Sequence, residues 1–311
     1  MSGVMVWYAN PAIDHLIRLA SLQIGEVQIA TSEWMTAGGK GANVLRALKI
    51  LGIEASGISL VGGSAGELYR ELLDRDGLSV ALSSAQGETR SATIISQAVS
   101  RADTVINGSG LTVTAESWSR HVELVKARIE TDSPDFFAIA GSFPPGARAS
   151  DVTDVLRLAK RHGALTVVDT SGPVLEAALE AGPRIVKVNE REASVLLTRM
   201  GIDRGPTPGN LSLADAIHEL GAEQSIVTSG SAAVTANSEV GVEITPIAVK
   251  VTSTTGCGDA FLAGLISGIA DGLDLKDTIA WAAAVGSAAA EQQVPGDFAI
   301  ERAKQLIPHT R

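Results

Sequence analysis

Short apolar runs recur along the chain, each closed by a turn-forming residue and followed by a stretch with helical spacing. Val4–Tyr8 is apolar and leads into Asn10-Pro11. Phe136–Ala140, Leu165–Val168, Ile185–Val188 and Ser225–Thr228 have the same form, each ending at Gly, Asp, Asn or Ser. Between them, Asp151–His162, Gly172–Ala181, Arg191–Arg199 and Ser212–Leu220 read as helices, and Ala42–Leu51 puts Val44, Leu45, Leu48 and Leu51 on one helical face. Buried strands alternating with helices predict an α/β fold, a mostly parallel sheet covered on both sides. On such sheets ligands bind beyond the carboxyl ends of the strands.

Two segments depart from that alternation. Leu16–Thr36 and Arg90–Asn107 read as period-two strands, with Thr93, Ile95, Gln97 and Val99 set against Ile94, Ser96 and Ala98. One polar face per strand predicts a small sheet exposed on one side. Such a sheet is either a lid over a cleft or an extension of the main sheet's edge. Gly205–Gly209 (GPTPG) reads as a surface loop. No internal repeat or low-complexity linker divides the 311 residues.

Composition narrows the classes. Hydrophobic residues make up 45% of the chain and charged residues 19%, against about 25% charged in ordinary soluble domains. Aromatics are only 4%, so the core is built from small aliphatic residues with 32 glycines allowing close approach. A net charge of −10 argues against a nucleic-acid surface, which needs clustered Lys and Arg. The single cysteine, Cys257, excludes an intrachain disulfide, and five histidines show no ligand spacing. The start lacks a basic segment followed by an apolar one, and no apolar run is long enough to span a bilayer. A cytoplasmic protein without membrane contact is expected.

The sharpest chemical signal is Thr254-Thr255-Gly256-Cys257-Gly258-Asp259, which opens a small-residue helix. Glycines at a helix start let the backbone approach a ligand, and the free N–H groups favour an anion. An Asp inside that turn could take a proton from an attacking hydroxyl, as phosphoryl transfer requires, or could simply cap the helix. The P-loop pattern is absent, because Lys40 precedes Gly41; a dinucleotide fingerprint would need Gly or Ala where Phe261 stands. A second signal, Gly38-Gly39-Lys40-Gly41-Ala42-Asn43, sets a lysine among glycines before a helix, suited to an anionic or hydroxyl-rich ligand. In a third, Asn189 and Glu192 stand three apart at a strand-to-helix junction. They suit either a water-coordinated Mg²⁺ or a capping box.

Taken in order, these motifs resemble the ribokinase-like (PfkB) carbohydrate kinases over essentially the whole chain, residues 1–311, as one domain. The set comprises Asn10-Pro11-Ala12-Ile13-Asp14, Gly38-Gly39-Lys40-Gly41 with Asn43, Thr89-Arg90, Gly141-Ser142-Phe143-Pro144-Pro145-Gly146, Asp169-Thr170-Ser171-Gly172, Lys187-x-Asn189-x-x-Glu192, Thr228-x-Gly230 and Thr255-Gly256-x-Gly258-Asp259. The NPAID opening, Gly25–Val27 (GEV), GSFPPG and DTSG look most like the phosphosugar branch, 1-phosphofructokinases and tagatose-6-phosphate kinases. The resemblance implies a three-layer sandwich with a β lid from about 12–36 and 90–107.

It also implies ATP and Mg²⁺ as cofactors, with Asp259 as catalytic base and Gly256, Cys257 and Gly258 as anion hole. Asp14, Gly38, Gly39, Lys40, Asn43, Arg90 and Ser142 would hold the sugar, with Arg90 and Lys40 facing its existing phosphate. Lys187, Asn189, Thr228, Gly230, Ala283 and Ser287 would border the nucleotide, and Asn189 and Glu192 would reach the metal through water. The expected reaction converts fructose 1-phosphate to fructose 1,6-bisphosphate. Tagatose 6-phosphate, fructose 6-phosphate, and an unphosphorylated sugar or nucleoside are the alternatives. A non-catalytic sugar- or nucleotide-binding regulator is the rival from another class, and a dinucleotide oxidoreductase a distant third. The exposed lid sheet is also a candidate homodimer surface.

Three positions depart from the family pattern. Val188 replaces the usual Pro, a second glycine is missing after Gly230, and an acidic residue and a proline are missing around Asn107–Gly110.

Overall fold

A computed structural model describes residues 3–97, 103–203, 210–237 and 241–307. The expected loop at Gly205–Gly209, and Ala98 and Val99, lie outside the described residues. The strands are β1 (Val4–Trp7), β2 (Ala12–Leu19), β3 (Ser32–Gly38), β4 (Ala55–Val61), β5 (Val80–Ser84), β6 (Arg90–Gln97), β7 (Asp103–Asn107), β8 (Phe136–Ala140), β9 (Leu165–Asp169), β10 (Ile185–Asn189), β11 (Gln224–Thr228), β12 (Val234–Ala236) and β13 (Val242–Ile244). The helices are α1 (Lys40–Ile50), α2 (Gly63–Asp76), α3 (Ala115–Asp132), α4 (Ala149–Arg161), α5 (Gly172–Leu179), α6 (Glu190–Arg199), α7 (Asn210–Glu219), α8 (Cys257–Ala270), α9 (Leu275–Ala289) and α10 (Ile300–Gln305).

The described strands form a nine-stranded sheet, in the order β13-β12-β11-β10-β9-β8-β1-β4-β5, and a separate four-stranded sheet. From β11 to β5 every neighbouring pair is parallel, while β12 and β13 extend the edge antiparallel. Alternate side chains of each strand enter opposite cores. Val4, Val6, Ala138, Val167 and Ile185 pack with Val44, Leu48, Leu262, Leu265 and Val285 of α1, α8 and α9. Met5, Trp7, Phe137, Ile139, Val168 and Val186 pack with Trp118, Val125, Leu156, Leu196 and Ile217 on the other side. Three layers follow, and the loops leaving β1, β8, β9, β10 and β11 gather at one end of the sheet.

The four-stranded sheet, β3-β2-β6-β7, shares one cavity with residues at that end. Its registers place Ala12 beside Arg90, Asp14 beside Ala92, and Ile94 beside Val105. Period two therefore aims Ala12, Asp14, Arg90, Ala92, Ile94, Val105 and Asn107 at one cavity. Between β2 and β3, residues 20–31 form a loop rather than the strand expected through Leu16–Thr36. Ile24, Val27 and Ile29 are 96%, 100% and 92% exposed there. Alternation is a property of the segment alone; a strand also needs a neighbour to pair with, and among the described residues no strand pairs with 20–31. Among the described residues no helix is long and apolar enough to cross a membrane.

Candidate active site

Helix α8 begins at the glycine-rich signal. Gly256 takes φ 82°, and a Cβ there would stand 2.6 Å from Pro295 Cβ and 2.7 Å from the Gly296 nitrogen, so only glycine fits. No side chain caps the helix, which leaves its first N–H groups available to an anion. Asp259, in the first turn, is 5% exposed and caps nothing. Its Oδ2 accepts from Asn43 Nδ2 at 2.8 Å. Arg46 donates to Asn43 Oδ1 at 3.1 Å, which fixes the amide with its donor toward the carboxylate. Arg46 is itself held by Asp76, Thr36 and the Ala37 and Pro295 carbonyls.

Burial pushes the Asp259 carboxyl up to about 6 against the opposing charge of Lys40, with Asp169 adding to the rise. Asp14 is pushed up to about 7 by burial, opposed by Arg46 and Arg90 and reinforced by Asp259. Two carboxyls with raised pKa values at one cavity are suited to proton chemistry near neutrality. Burial and the charges of Asp259 and Asp103 lift the Cys257 thiol to about 12. It stays protonated and is no nucleophile.

At the sheet end, Asp169 is fully buried and shared by two lysines. Its Oδ1 accepts from Lys40 Nζ at 2.7 Å and its Oδ2 from Lys187 Nζ at 2.7 Å. Burial alone would raise its pKa, but Lys187 and Lys40 together hold it below the ordinary value. Lys40 also reaches Glu192 Oε1 at 3.3 Å; against the cost of burial, Asp169, Glu192 and Asp259 keep its pKa above normal. Asp169 was visible in the DTSG motif, but the motif alone assigned it no role. Lys187 Nζ lies 3.0 Å from where a Cβ on Gly258 would stand, so a buried positive charge flanks the helix start.

Asn189 and Glu192 form the capping-box alternative. Asn189 Oδ1 accepts from the Glu192 N–H at 2.8 Å, and Glu192 Oε2 from the Asn189 N–H at 2.9 Å. Both still line the cavity. With those oxygens taken by N–H groups and the Asp169 oxygens by lysines, and with no metal-holding cluster of His, Cys, Asp or Glu among the described residues, a protein-only cage is not formed. The residues do fit a Mg²⁺ that arrives on nucleotide phosphates and keeps its waters.

One cavity of about 810 Å³ gathers nearly all the sequence candidates. Its lining includes Asp14, Gly39, Lys40, Asn43 and Arg90 together with Lys187, Asn189, Thr228, Gly230, Ala283, Ser287 and Gly256–Asp259. Ser142 lines an adjoining cavity of about 190 Å³ with Asn10, Lys40, Arg90, Asn107 and Glu192. Asn10 Nδ2 donates to Ser142 Oγ at 3.0 Å, and Phe143 anchors the same loop edge-on to Trp7 at 4.9 Å. Gly38 lines neither cavity. It backs Asp14, whose carboxylate fills the space a side chain at 38 would need. Arg90 donates to the Asn10 and Pro11 carbonyls and to Asn107 Oδ1, all neutral partners. Asn10 and Asn107 were not predicted; only the fold brings them beside Arg90.

A buried carboxylate at an uncapped helix start, with Lys40 and Lys187 at the same cavity, suits phosphoryl transfer to a hydroxyl without a P-loop. The comparisons agree. The chain is 30% identical over 305 residues to the 1-phosphofructokinase of Haemophilus influenzae (95% of this chain, 93% of that protein). It is 28% identical over 312 residues to the tagatose-6-phosphate kinase of Staphylococcus epidermidis (96% and 95%). Phosphofructokinase-2 from Escherichia coli, solved in complex with potassium, superposes with a TM-score of 0.87 at 26% identity, covering 99% of this chain and 98% of that one. Residues 8–301 match the pfkB family carbohydrate kinase pattern, and the chain belongs to that family. It is an ATP-dependent sugar kinase with the ribokinase-like fold.

Proposed function

We propose that the chain transfers the γ-phosphoryl group of ATP to a hydroxyl of a ketohexose phosphate, with fructose 1-phosphate giving fructose 1,6-bisphosphate as first choice. One observation carries this reading: Arg90 lines the small cavity with Lys40, and its hydrogen bonds among the described residues go to neutral oxygens, with the buried Asp14 carboxyl as a nearby acid, so the guanidinium has charge to offer a ligand. A phosphate already on the sugar suits that place. The Haemophilus and Staphylococcus relatives are named for phosphosugars, which supports the class and leaves tagatose 6-phosphate and fructose 6-phosphate as competitors.

In this mechanism Asp14 orients the sugar hydroxyls, and Lys40 with Arg90 neutralises the sugar's phosphate. Asp259 accepts the proton of the attacking hydroxyl as its oxygen bonds to the γ-phosphorus. The bond to the β–γ bridging oxygen breaks and ADP leaves, while the N–H groups of Gly256–Gly258 and the Lys187 ammonium stabilise charge on the transferring group. Thr228, Gly230, Ala283 and Ser287 border the nucleotide. Asn189 and Glu192 would face a Mg²⁺ through water, and the bound ion would supply further charge neutralisation at the nucleotide phosphates. The whole of 1–311 acts as one kinase domain, with residues 12–36 and 90–107 as its lid. The setting is the cytoplasm, in keeping with a reaction that consumes ATP and a chain whose one cysteine forms no disulfide.

The test is ATP consumption with Mg²⁺ over fructose 1-phosphate, tagatose 6-phosphate, fructose 6-phosphate, free hexoses and a nucleoside. Arg90→Ala is expected to raise KM for the phosphosugar by roughly 10–100-fold, the worth of one charged hydrogen-bonding group, with KM for ATP little changed. Turnover confined to an unphosphorylated compound, indifferent to Arg90, would discard the substrate.

The lid also carries the apolar surface expected of a homodimer contact. Trp34, Met35 and Ile106 are exposed on the sheet and Ile24, Val27 and Ile29 in its loop. Sedimentation is expected to give a dimer at micromolar concentration, and Val27→Asp with Ile29→Asp a monomer. A monomeric wild type would exclude this contact.

A further inference from the structure

Strand β7 ends at the sugar side with Asn107, which accepts from Arg90 at 3.2 Å. Its first residue, Asp103, has the same strand parity four residues earlier, roughly 13 Å away at strand spacing. There it meets the segment that leads into the helix start. Asp103 Oδ2 accepts from Ser253 Oγ at 2.7 Å, the Thr254 N–H at 2.9 Å, the Thr255 N–H at 3.3 Å and Thr255 Oγ1 at 3.0 Å. One carboxylate oxygen thus fixes the peptide planes just before Gly256, where the chain turns to φ 82°. The other, Oδ1, is buried with no hydrogen-bond partner among the described residues. A buried carboxylate oxygen left without a partner is costly, so stability alone is a poor reason for an acid here.

We propose that Asp103 is a positioning residue that links the sugar-phosphate subsite to the anion hole. Fixing Arg90 and Asn107 on a bound phosphosugar steadies β7. Asp103, on the same strand, then holds Ser253–Thr255 so that the N–H groups of Gly256–Gly258 point at the transferring phosphoryl group. Occupancy of the sugar-phosphate subsite and readiness of the anion hole become a single coupled state. The inference rests on the phosphosugar-kinase reading above and adds a residue that acts through the anion hole rather than on substrate.

The test compares Asp103→Ala with Asp103→Asn in the full chain. Asn retains an acceptor for the Thr254 and Thr255 N–H groups; Ala does not. Asp103→Ala is expected to lower kcat by about 10–100-fold, the cost of an ångström-scale misplacement of catalytic groups, with KM for the phosphosugar and Tm close to wild type. Asp103→Asn should recover most of that loss.

A second readout is calorimetric binding of a non-hydrolysable ATP analogue with and without phosphosugar. The wild type should bind the analogue more tightly when the sugar site is filled, and Asp103→Ala should lose that enhancement. Wild-type kcat and coupling in Asp103→Ala would overturn the proposal, as would equal losses in both variants accompanied by a fall in Tm. A wild type inactive on every phosphosugar would overturn the substrate reading and this inference together. An active wild type with an indifferent Asp103→Ala would overturn this inference alone.

Discussion

Asp259→Asn is expected to lower kcat by about 10²–10⁴-fold, the usual worth of a general base, while the protein stays folded. Asn keeps the volume, and its Oδ1 can still accept from Asn43, which donates to Asp259 at 2.8 Å. It removes a charge that burial already disfavours, since the Asp259 carboxyl sits up at about 6. Tm should therefore hold or rise.

The same shift sets a pH dependence. Below about 6 the carboxyl is protonated and cannot take the hydroxyl proton, so kcat/KM should climb as pH rises through that value. Asp14, at about 7, interacts with it, so the rise belongs to the pair and spans about 6 to 7. Residual activity of Asp259→Asn should lack the Asp259 part of that limb. Steady-state kinetics from pH 5 to 9 on both proteins checks this, and an Asn variant with wild-type kcat would remove Asp259 from the role of base.

Asp169→Asn is expected to cost about 3–5 kcal/mol of stability, the range for breaking a buried ion pair by removing one partner. Lys40 keeps Glu192 at 3.3 Å, but Lys187, whose side chain is 4% exposed, has Asp169 as its counter-charge among the described ion pairs. The sign with pH is defined. Because Lys187 and Lys40 depress the Asp169 pKa, its stabilisation is present at neutral pH and is lost only as pH falls below the ordinary carboxylate range. Chemical denaturation measures the loss. ATP should narrow the gap between variant and wild type, since its phosphates return negative charge to Lys187. Equal unfolding free energies would mean that the two lysines do not depend on this carboxylate.

Much of the fold was legible because its signals are local. The helix expected at Asp151–His162 spans Ala149–Arg161, and the strand expected at Leu165–Val168 spans Leu165–Asp169. Apolar spacing and the turn residues that close each run are short-range facts. Between Leu19 and Ser32 the same cue misled, because pairing depends on a partner that alternation does not specify. The ordered motifs also led to the cavity: of the predicted site residues, Gly38 alone lines neither it nor the adjoining pocket. It serves from behind, by making room for Asp14.

The residue types at the site and the helix that opens at Cys257 were determined by the sequence alone, through neighbours within a turn of one another, whereas the need for glycine at 256 also comes from Pro295 and Gly296, which only the fold brings there. Tertiary structure alone decided how the charges are shared. Asp169 lies 129 residues from Lys40 and 18 from Lys187, and it joins them because β9 runs beside β10 and under the start of α1. Asp103 stands in a strand whose neighbourhood reads as short of acid, and it reaches a segment 150 residues away. Coulombic and hydrogen-bonding partners are chosen by distance in space, and sheet order, not spacing along the chain, sets that distance.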